Sequence, residues 1–331
     1  MTARRVGVLM GGWGEERDIS IKTGEAVAQA LESKGVAVTR ILAGPKLDLS
    51  VRSADIDVAF VALHGRMGED GRVQGLLEVL GIPYTGSGVL ASSVAMNKPL
   101  AKKLLAHANL ATAPGYVASE ADLGRLELLH GDLGFPAVVK PACGGSSVGL
   151  SFVECLAELG PAVVQACRFG GEALVERYIA GREVTVGLVA GEVLGTCEVA
   201  FASTVFDHAT KYKGGARYHL PARLSAARLG NVEAVALAAY KALGCRGYAR
   251  VDLLCSDTDN DVVLEVNTLP GLTPVSLLPK IARAAGVSFE DLVMRILNQA
   301  AREGAAVGDE HPRSQGDVER PAVLTASHAQ L

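Results

Sequence analysis

The sequence contains no long apolar run, no excess of basic charge and no regular pattern of cysteines. Its 32 lysines and arginines are balanced by 36 aspartates and glutamates, which gives a formal net charge of −4. This mildly acidic balance lacks the basic surface that nucleic acid or an anionic membrane attracts, so neither is expected as a partner. The first apolar stretch, VGVLM, is too short for a signal peptide, and no later run is long enough to span a bilayer. A cytoplasmic location is therefore expected.

The six cysteines are scattered along the chain, without a CxxC pair or a histidine at ligand spacing. This distribution argues against a zinc site and is typical of thiols in a reducing compartment. With 331 residues, of which 49% are hydrophobic and 21% charged, the composition is that of a globular protein of two or three domains.

The first third of the chain alternates strands and helices. RVGVLM reads as a strand buried on both faces, a helix is predicted from about Ser20, and VAVTRIL and DVAFVAL read as two further strands. This order predicts a parallel sheet whose functional site lies where the strands end. Glu16, in GGWGEERD, and His64, before a glycine, occupy such ends; their alternatives are a solvated acid and a turn donor.

After the helix NKPLAKKLLAHANL the pattern changes to an α+β arrangement. The last predicted helix ends near Arg302, and the remaining residues, 304–331, lack periodicity and are expected to be disordered. The strands expected in between are 135–140, 151–153, 173–179, 183–189 and 192–199, followed by the opening and closing strands of RVDLLCSDTDNDVVLEVN; helices are expected near 155–168 and 226–243.

The stretch VVKPACGGSSVG combines a strand lysine, Lys140, with a loop of small residues whose backbone N–H groups suit a phosphate. Leu150 stands where a P-loop requires lysine, so that motif is rejected. The cation is instead Lys140, with Lys98 as a second candidate. A flexible turn beside a surface lysine is the alternative.

The hairpin RVDLLCSDTDNDVVLEVN carries charged groups inside apolar strands. Because side chains alternate across a strand, Arg250 and Asp252 share a face of the first strand, Glu265 and Asn267 share a face of the second, and the two faces converge. Two carboxylates and an amide oxygen on one patch suit magnesium bound to nucleotide phosphates. The alternative is a buried ion pair of Arg250 with Asp252 or Glu265.

Two further features are candidates for binding: a pair of glutamates on either side of a short linker, and a glycine-rich loop. Glu176 and Glu183 are placed to contact a purine and a ribose, or else are solvated strand ends. The loop 206–219 holds Lys211 and Tyr212 beside two glycines, which suits a lid over an anionic substrate; a disordered basic loop is the alternative.

Seven ordered blocks resemble the D-alanine:D-alanine ligases of the ATP-grasp superfamily. They are GGWGEERDIS, LHGRMGEDGRVQGLLEVLGIPYTGSG, AMNKPLAKKLL, VVKPACGGSSVG, VERYIAGREVTV, KYKGG and RVDLL…LEVNTLPGLTPVSLLP. The resemblance runs from about Arg5 to about Ala301. It implies an α/β and α+β protein, an ATP-grasp fold with an N-terminal Rossmann-like parallel α/β domain (1–97), a central lobe (98–182) and a C-terminal lobe (183–303) carrying the lid loop, with ATP between the two lobes.

The resemblance also implies a set of ATP and metal ligands. It assigns the nucleotide phosphates to Lys98, Lys140, Lys211, Ser146 and Ser147, the adenine and ribose to Glu176, Glu183 and the backbone of Arg177 and Ile179, and two Mg²⁺ ions, replaceable by Mn²⁺, to Asp252, Glu265 and Asn267.

The implied reaction joins two D-alanines through an acyl phosphate, in peptidoglycan precursor synthesis. The carboxylate of the first D-alanine attacks the γ-phosphate, and the amine of the second attacks the activated carbonyl. The resemblance assigns the first amino group to Glu16, with His64 near the first substrate. It assigns the oxyanion to Arg250 and the N–H of Gly271, and the second carboxylate to Ser276 and Leu277. It also implies a hydrogen-bonded set of Glu16, Ser146 and Tyr212. Tyr212 favours an amino acid as acceptor; D-lactate, D-serine or another amino acid is the alternative. A homodimer is expected.

Overall fold

Three parallel strands form the first sheet, in the order β2–β1–β3: β1 (Arg5–Gly11), β2 (Ala37–Ala43) and β3 (Val58–Val61). The structure, a computed structural model, describes residues 5–14, 16–145, 148–201, 216–257 and 260–302. The strands of the predicted parallel sheet are thus confirmed. Helix α1 (Arg17–Ser33) begins before the predicted Ser20, because the carbonyl of Glu16 already accepts the helical hydrogen bond from Ser20 N at 2.9 Å.

Short helices lead from this sheet towards the rest of the chain. They are α2 (Leu47–Ser53), α3 (Arg72–Val79), α4 (Val89–Met96) and α5 (Lys98–His107). Helix α5 begins sharply because Asn97 Oδ1 accepts the N–H of Leu100 at 3.0 Å, and a proline occupies its first turn. This start places Lys98 at the first position of the helix.

The central sheet is antiparallel, with four strands in the order β4–β7–β5–β6. Its elements are β4 (Gly115–Ala118), α6 (Leu126–His130), β5 (Ala137–Pro141), β6 (Ser151–Val153), α7 (Leu156–Cys167) and β7 (Ala173–Arg177). The α+β arrangement predicted for this part is confirmed.

The third sheet has five described strands in the order β10–β9–β8–β11–β12, all antiparallel. Its strands are β8 (Arg182–Val189), β9 (Glu192–Phe201), β10 (Ala216–His219), β11 (Tyr248–Cys255) and β12 (Val262–Asn267), and the helices are α8 (Ala226–Ala242), α9 (Leu277–Ala284) and α10 (Phe289–Leu297). The last helix therefore ends before the predicted Arg302, because Ala301 leaves helical geometry to pair with Tyr84 in an antiparallel bridge.

The hydrophobic cores cross the predicted domain borders, which themselves stay a prediction. Leu278 of α9 and Leu292 of α10 belong to the same buried cluster as Val8 of the parallel sheet. Val94 of α4 and Leu105 of α5 pack instead with the five-stranded sheet and α8. The two ends of the chain are thus joined by one core, and the helix that carries Lys98 is anchored to the C-terminal sheet.

Some predicted features lie outside the described residues. They are Ser146, Ser147, Lys211, Tyr212, most of the predicted lid loop and the tail 304–331. Over the ranges that the structure describes, no helix is both long and apolar enough to cross a membrane.

Candidate active site

Two adjoining cavities lie between the sheets. The larger, about 320 Å³, is bordered by Glu16 and His64 at the end of the parallel sheet and by Arg250 of the five-stranded sheet. The smaller, about 140 Å³, has both apolar and charged walls, with Val138 and Phe152 of the central sheet on one side and Leu254 of the five-stranded sheet on the other. The walls that both cavities share include Lys98, Glu183, Asp252 and Glu265.

Every predicted site residue that the structure describes lines one of these cavities. The larger cavity collects Glu16, His64, Lys98, Glu183, Arg250, Asp252, Glu265, Asn267, Gly271, Ser276 and Leu277; the smaller adds Lys140, Glu176, Arg177 and Ile179. Residues spread over most of the chain are therefore brought to one place. Their individual roles stay predictions.

The register of the hairpin sets the geometry of the shared wall. Arg250 lies opposite Asn267, and Asp252 lies opposite Glu265, with a bulge immediately after Asp252. Directly opposed residues of an antiparallel pair point to the same face, so the two carboxylates are neighbours. The bulge turns the following residues out of this pattern.

Among the described residues, Arg250 and Thr185 donate hydrogen bonds to Asp252. Arg250 grips it with both Nε, 2.9 Å from Oδ1, and Nη2, 2.8 Å from Oδ2, and Thr185 donates its hydroxyl to Oδ1 at 2.8 Å. The ion pair that the sequence left open as an alternative is therefore present. The carboxylate of Glu265 forms no ion pair or hydrogen bond with any residue in the described part of the chain. One carboxylate is thus fixed in orientation, and its neighbour faces the cavities.

A cluster of buried charges surrounds Glu176 in the smaller cavity. Its carboxylate accepts Lys140 Nζ at 2.6 Å and also hydrogen-bonds Lys102. Burial acts to raise the pKa of Glu176, but Lys140 and Lys102 outweigh it and hold that pKa below the usual value. Sequence reasoning placed Glu176 towards adenine or ribose; in the structure its carboxylate is occupied by two lysines.

Lys102 was not identified from the sequence. Lys98, predicted to contact phosphate, also contacts the glycine-rich loop. Lys102 stands one turn after Lys98 on α5, a spacing that puts both side chains on one face and would have identified it. Lys98 Nζ donates to the carbonyl of Gly144 in the glycine-rich loop. Burial lowers the pKa of both lysines, since it disfavours their charged form.

The end of the parallel sheet is a tightly fitted turn. His64 Nε2 lies 2.8 Å from the hydroxyl of Thr23, and its Nδ1 lies 3.6 Å from Glu69 Oε1. Glu69 Oε1 also accepts the N–H of Gly65 at 3.0 Å. Gly65 has φ +66, and a Cβ there would coincide with the carboxylate of Glu16. Glu69, which sequence reasoning missed, therefore fixes the turn against which Glu16 lies.

The loop before α9 is ordered by Ser276. Its hydroxyl accepts the N–H of Thr273 at 3.2 Å and lies 2.8 Å from the hydroxyl of the same residue. A Cβ at Gly271 would lie 2.9 Å from Ser276 Oγ, so glycine permits this close approach. Asn267 Oδ1 accepts the N–H of Leu269 at 3.1 Å, which turns the chain from β12 into the loop.

The smaller cavity offers an apolar slot. Phe152 and Tyr178 meet edge to face with ring centroids 5.1 Å apart, and Val138, Ile179 and Leu254 complete the walls. Such a slot suits a planar aromatic base. The N–H of Arg177, predicted to hold adenine, donates to the carbonyl of Pro114 at 2.9 Å in this arrangement.

The fold is an ATP-grasp fold with an N-terminal Rossmann-like parallel sheet, and the two cavities lie beside its antiparallel sheets. A family model described as "D-ala D-ala ligase C-terminus" matches residues 105–298, and one described as "D-ala D-ala ligase N-terminus" matches residues 44–87. The chain belongs to the D-alanine–D-alanine ligase family.

Individual relatives match over nearly their whole length. The D-alanine–D-alanine ligase of Anaeromyxobacter dehalogenans is 46% identical over 91% of this chain and 98% of its own. That of Geotalea uraniireducens is 47% identical over 91% and 97%. The crystal structure of the Bacillus anthracis D-alanine–D-alanine ligase complexed with ATP is similar with a TM-score of 0.79 and 37% identity, covering 90% of this chain and 97% of that one. The VanG D-Ala:D-Ser ligase of Enterococcus faecalis has a TM-score of 0.78 at 26% identity, covering 89% and 98%.

The Glu176 cluster makes a prediction about stability. Glu176→Gln leaves two buried lysines without their carboxylate, so the free energy of unfolding at pH 7 should fall by about 3 kcal/mol. Adding Lys102→Met to that variant removes one uncompensated charge and should restore part of the loss. Chemical denaturation of the single and double variants measures both effects.

The same experiment has a defined pH dependence. A carboxyl whose folded-state pKa is depressed stabilises the fold above its usual pKa of 4.5, and the contribution is lost as pH falls through the lower folded-state value. The gap between the native protein and Glu176→Gln should therefore shrink in acid. The exposed Glu172→Gln is the matched control; an equal loss in both variants would contradict the cluster's role.

Proposed function

We propose that the protein joins two D-alanine molecules into D-alanyl-D-alanine with conversion of ATP to ADP and phosphate, for peptidoglycan precursor synthesis. The observation that carries this proposal is the position of Asp252 and Glu265, side by side in the wall common to both cavities. The nucleotide phosphates and the amino-acid site meet at that wall. The curated relatives of similar length carry the name of this activity.

The donors at this wall fit magnesium. The family uses ATP and Mg²⁺, and the site presents the hard oxygen atoms that this ion prefers. Asp252 and Glu265 would hold the ions together with Asn267, and Mn²⁺ would substitute. When bound, the ions neutralise phosphate charge. Among the residues that the structure describes, no three His, Cys, Asp or Glu side chains cluster as a metal site.

The chain's own cations complete the phosphate site. Lys140, near the end of β5, lines the smaller cavity. Lys98 is the first residue of α5 and lines both cavities. Lys98 also binds the carbonyl of Gly144, so one side chain positions the glycine-rich loop and faces the phosphates. The adenine would occupy the slot between Phe152 and Ile179.

The larger cavity supplies groups for both amino acids. The carboxylate of the first D-alanine attacks the γ-phosphorus, ADP leaves, and the amine of the second D-alanine then displaces phosphate from the acyl carbon. Glu16 would hold the first amino group. Arg250 and the N–H of Gly271 would stabilise the oxyanion, and Ser276 and Leu277, at the start of α9, would receive the second carboxylate.

Three finer points stay predictions from the sequence. They are the cytoplasmic location, the homodimer, and the roles of Ser146, Ser147, Lys211 and Tyr212, which lie outside the described residues. The likeness to a D-Ala:D-Ser ligase at 26% identity keeps another acceptor as the alternative. The relatives at 46% and 47% identity favour D-alanine.

The reaction itself is tested with purified protein, ATP, Mg²⁺ and D-alanine. We expect phosphate release that depends on D-alanine, together with D-alanyl-D-alanine as the product, and loss of both when the metal is chelated. Mass spectrometry of a mixture with D-serine and D-lactate should show D-alanyl-D-alanine in excess. Absence of D-alanine-stimulated phosphate release would refute the proposal, and a predominant mixed product would establish the alternative acceptor.

The turn at Gly65 makes a prediction about the first substrate. Gly65→Ala places a methyl group where the Glu16 carboxylate lies. Because a charge-assisted hydrogen bond contributes about 1.5–3 kcal/mol, the KM for D-alanine should rise about tenfold or more, with the KM for ATP nearly unchanged. Steady-state kinetics measures both constants.

Gly35→Ala is the matched control for this variant. Gly35 also has a left-handed φ, +77, but a Cβ there meets nothing within 4 Å. The two variants therefore share the backbone strain and differ in the contact with Glu16. Equal KM values for D-alanine in both would remove Glu16 from the amino-acid site.

Arg250 makes a separate prediction about turnover. Arg250→Lys keeps a cation beside Asp252 but loses the two-pronged guanidinium contact, so the oxyanion donor is displaced. Turnover should fall by a factor of about 100 while the melting temperature changes little. Steady-state kinetics and thermal unfolding measure the two effects; a fall in melting temperature with normal turnover would instead indicate a purely structural ion pair.

A further inference from the structure

One lysine that contacts a wall residue of the larger cavity has no role in the reaction described above. Lys280 lies in α9, and its Nζ stands 3.9 Å from the centre of the Tyr218 ring. Tyr218 belongs to β10, lines the larger cavity and is 40% exposed. Lys280 has no ion pair or side-chain hydrogen bond with the residues that the structure describes. Its charge is therefore held by an aromatic ring and has no anionic partner there.

The helix directs this cation towards the acceptor end of the cavity. The N–H of Lys280 donates to the carbonyl of Ser276 at 3.2 Å, which places the two residues one turn apart. Helical side chains lean towards the helix N-terminus, so the Lys280 side chain leans towards Ser276. Its contact with Tyr218, itself a wall of the cavity, agrees with this direction.

The electrostatic balance at this end of α9 is positive. The first turn of α9 contains no acidic residue, and a helix N-terminus carries partial positive charge. Lys280 adds a full positive charge near the same end. A cation is disfavoured at a helix N-terminus. A bound anion would interact favourably with both the helix N-terminus and the ammonium group of Lys280.

The charge of Lys280 affects the pKa of a buried thiol, Cys197. Cys197 lies fully buried on β9, and burial raises its pKa to about 11. Among the charged groups that act on this thiol, Lys280 has the largest effect and lowers the pKa, while Asp252 and Arg250 also contribute. Lys280 therefore acts in the same electrostatic environment as the shared wall of the cavities.

We propose that Lys280, seated on the ring of Tyr218, is an electrostatic binding residue for the carboxylate of the acceptor substrate at the start of α9. The ring holds the ammonium group by a cation–π contact and leaves its N–H donors available to the carboxylate. Ser276 and Leu277 receive this carboxylate through short contacts, and Lys280 contributes charge from the next turn. The inference rests on the proposed ligase function and adds a residue to it.

The chemistry defines the ligand class. Lys280 acts on the α-carboxylate, a group that D-alanine, D-serine and D-lactate share. It therefore favours acceptors that carry this group and does not discriminate among them.

Lys280→Met tests the proposal because methionine keeps the length of the side chain and removes its charge. In dipeptide synthesis fitted to a two-site rate law, the KM for the acceptor D-alanine should rise about three- to tenfold, with the KM for ATP unchanged. Lys280→Arg, which keeps the charge and stacks on aromatic rings, should retain most of the affinity. Arg283→Gln, an exposed cation of the same helix, is the matched control and should leave the KM for the acceptor unchanged.

Ionic strength gives a second readout that a structural role would not move. Salt screens a charge contact, so raising the salt concentration should increase the acceptor KM of the native protein more than that of Lys280→Met. If Lys280→Met does not fold, the same salt series can be measured on the native protein and on Lys280→Arg. An acceptor KM that is insensitive to salt in both would overturn the inference.

The outcomes separate this inference from the proposed function. If the native protein forms no D-alanyl-D-alanine, the proposed function fails. If it forms the dipeptide and Lys280→Met has the same acceptor KM as Arg283→Gln, the inference alone fails. Equal rises in the KM values for ATP and acceptor would also overturn it, since they would indicate a general disturbance of the cavity.

Discussion

The pairing of β11 with β12 is the constraint on which the rest of the site depends. Antiparallel register places Asp252 beside Glu265, and the flanking strand β8 supplies Thr185 to fix one of the two carboxylates. Two neighbouring carboxylates repel each other. The ion pair of Arg250 with Asp252 offsets this repulsion. A slip of one residue in this register would turn Glu265 towards the opposite face and dismantle the wall that joins the two cavities.

The position of that wall depends in turn on how the two ends of the chain meet. Helices α9 and α10 pack into the core of the parallel sheet, and Tyr84 pairs with Ala301 beyond them. Through this contact the strand ends that carry Glu16 and His64 face the start of α9. The two ends of the larger cavity, at Glu16 and at the start of α9, are therefore held by one hydrophobic core, while the central sheet has a core of its own.

The sequence was most informative where local pattern determines structure. Strand alternation predicted the shared face of the hairpin, and the βαβ order predicted the parallel sheet. The spacing of Lys102 from Lys98 was a signal in the sequence, but its partner Glu176 is distant along the chain. Glu69 was missed because it acts through its packing against the His64 turn. The end of the last helix was wrong for the same reason, since the bridge to Tyr84 overrides local helical preference.

The charges of the site form a chain in which each member depends on the next. Glu176 stays ionised because Lys140 and Lys102 surround it, although burial alone would favour its neutral form. Burial likewise acts against the charge on Lys98, and the largest opposing effect on its pKa comes from Glu265 in the shared wall. The cations and anions of the site are thus paired with one another, and a metal-bound nucleotide, which carries charges of both signs, would offer new partners to both sets.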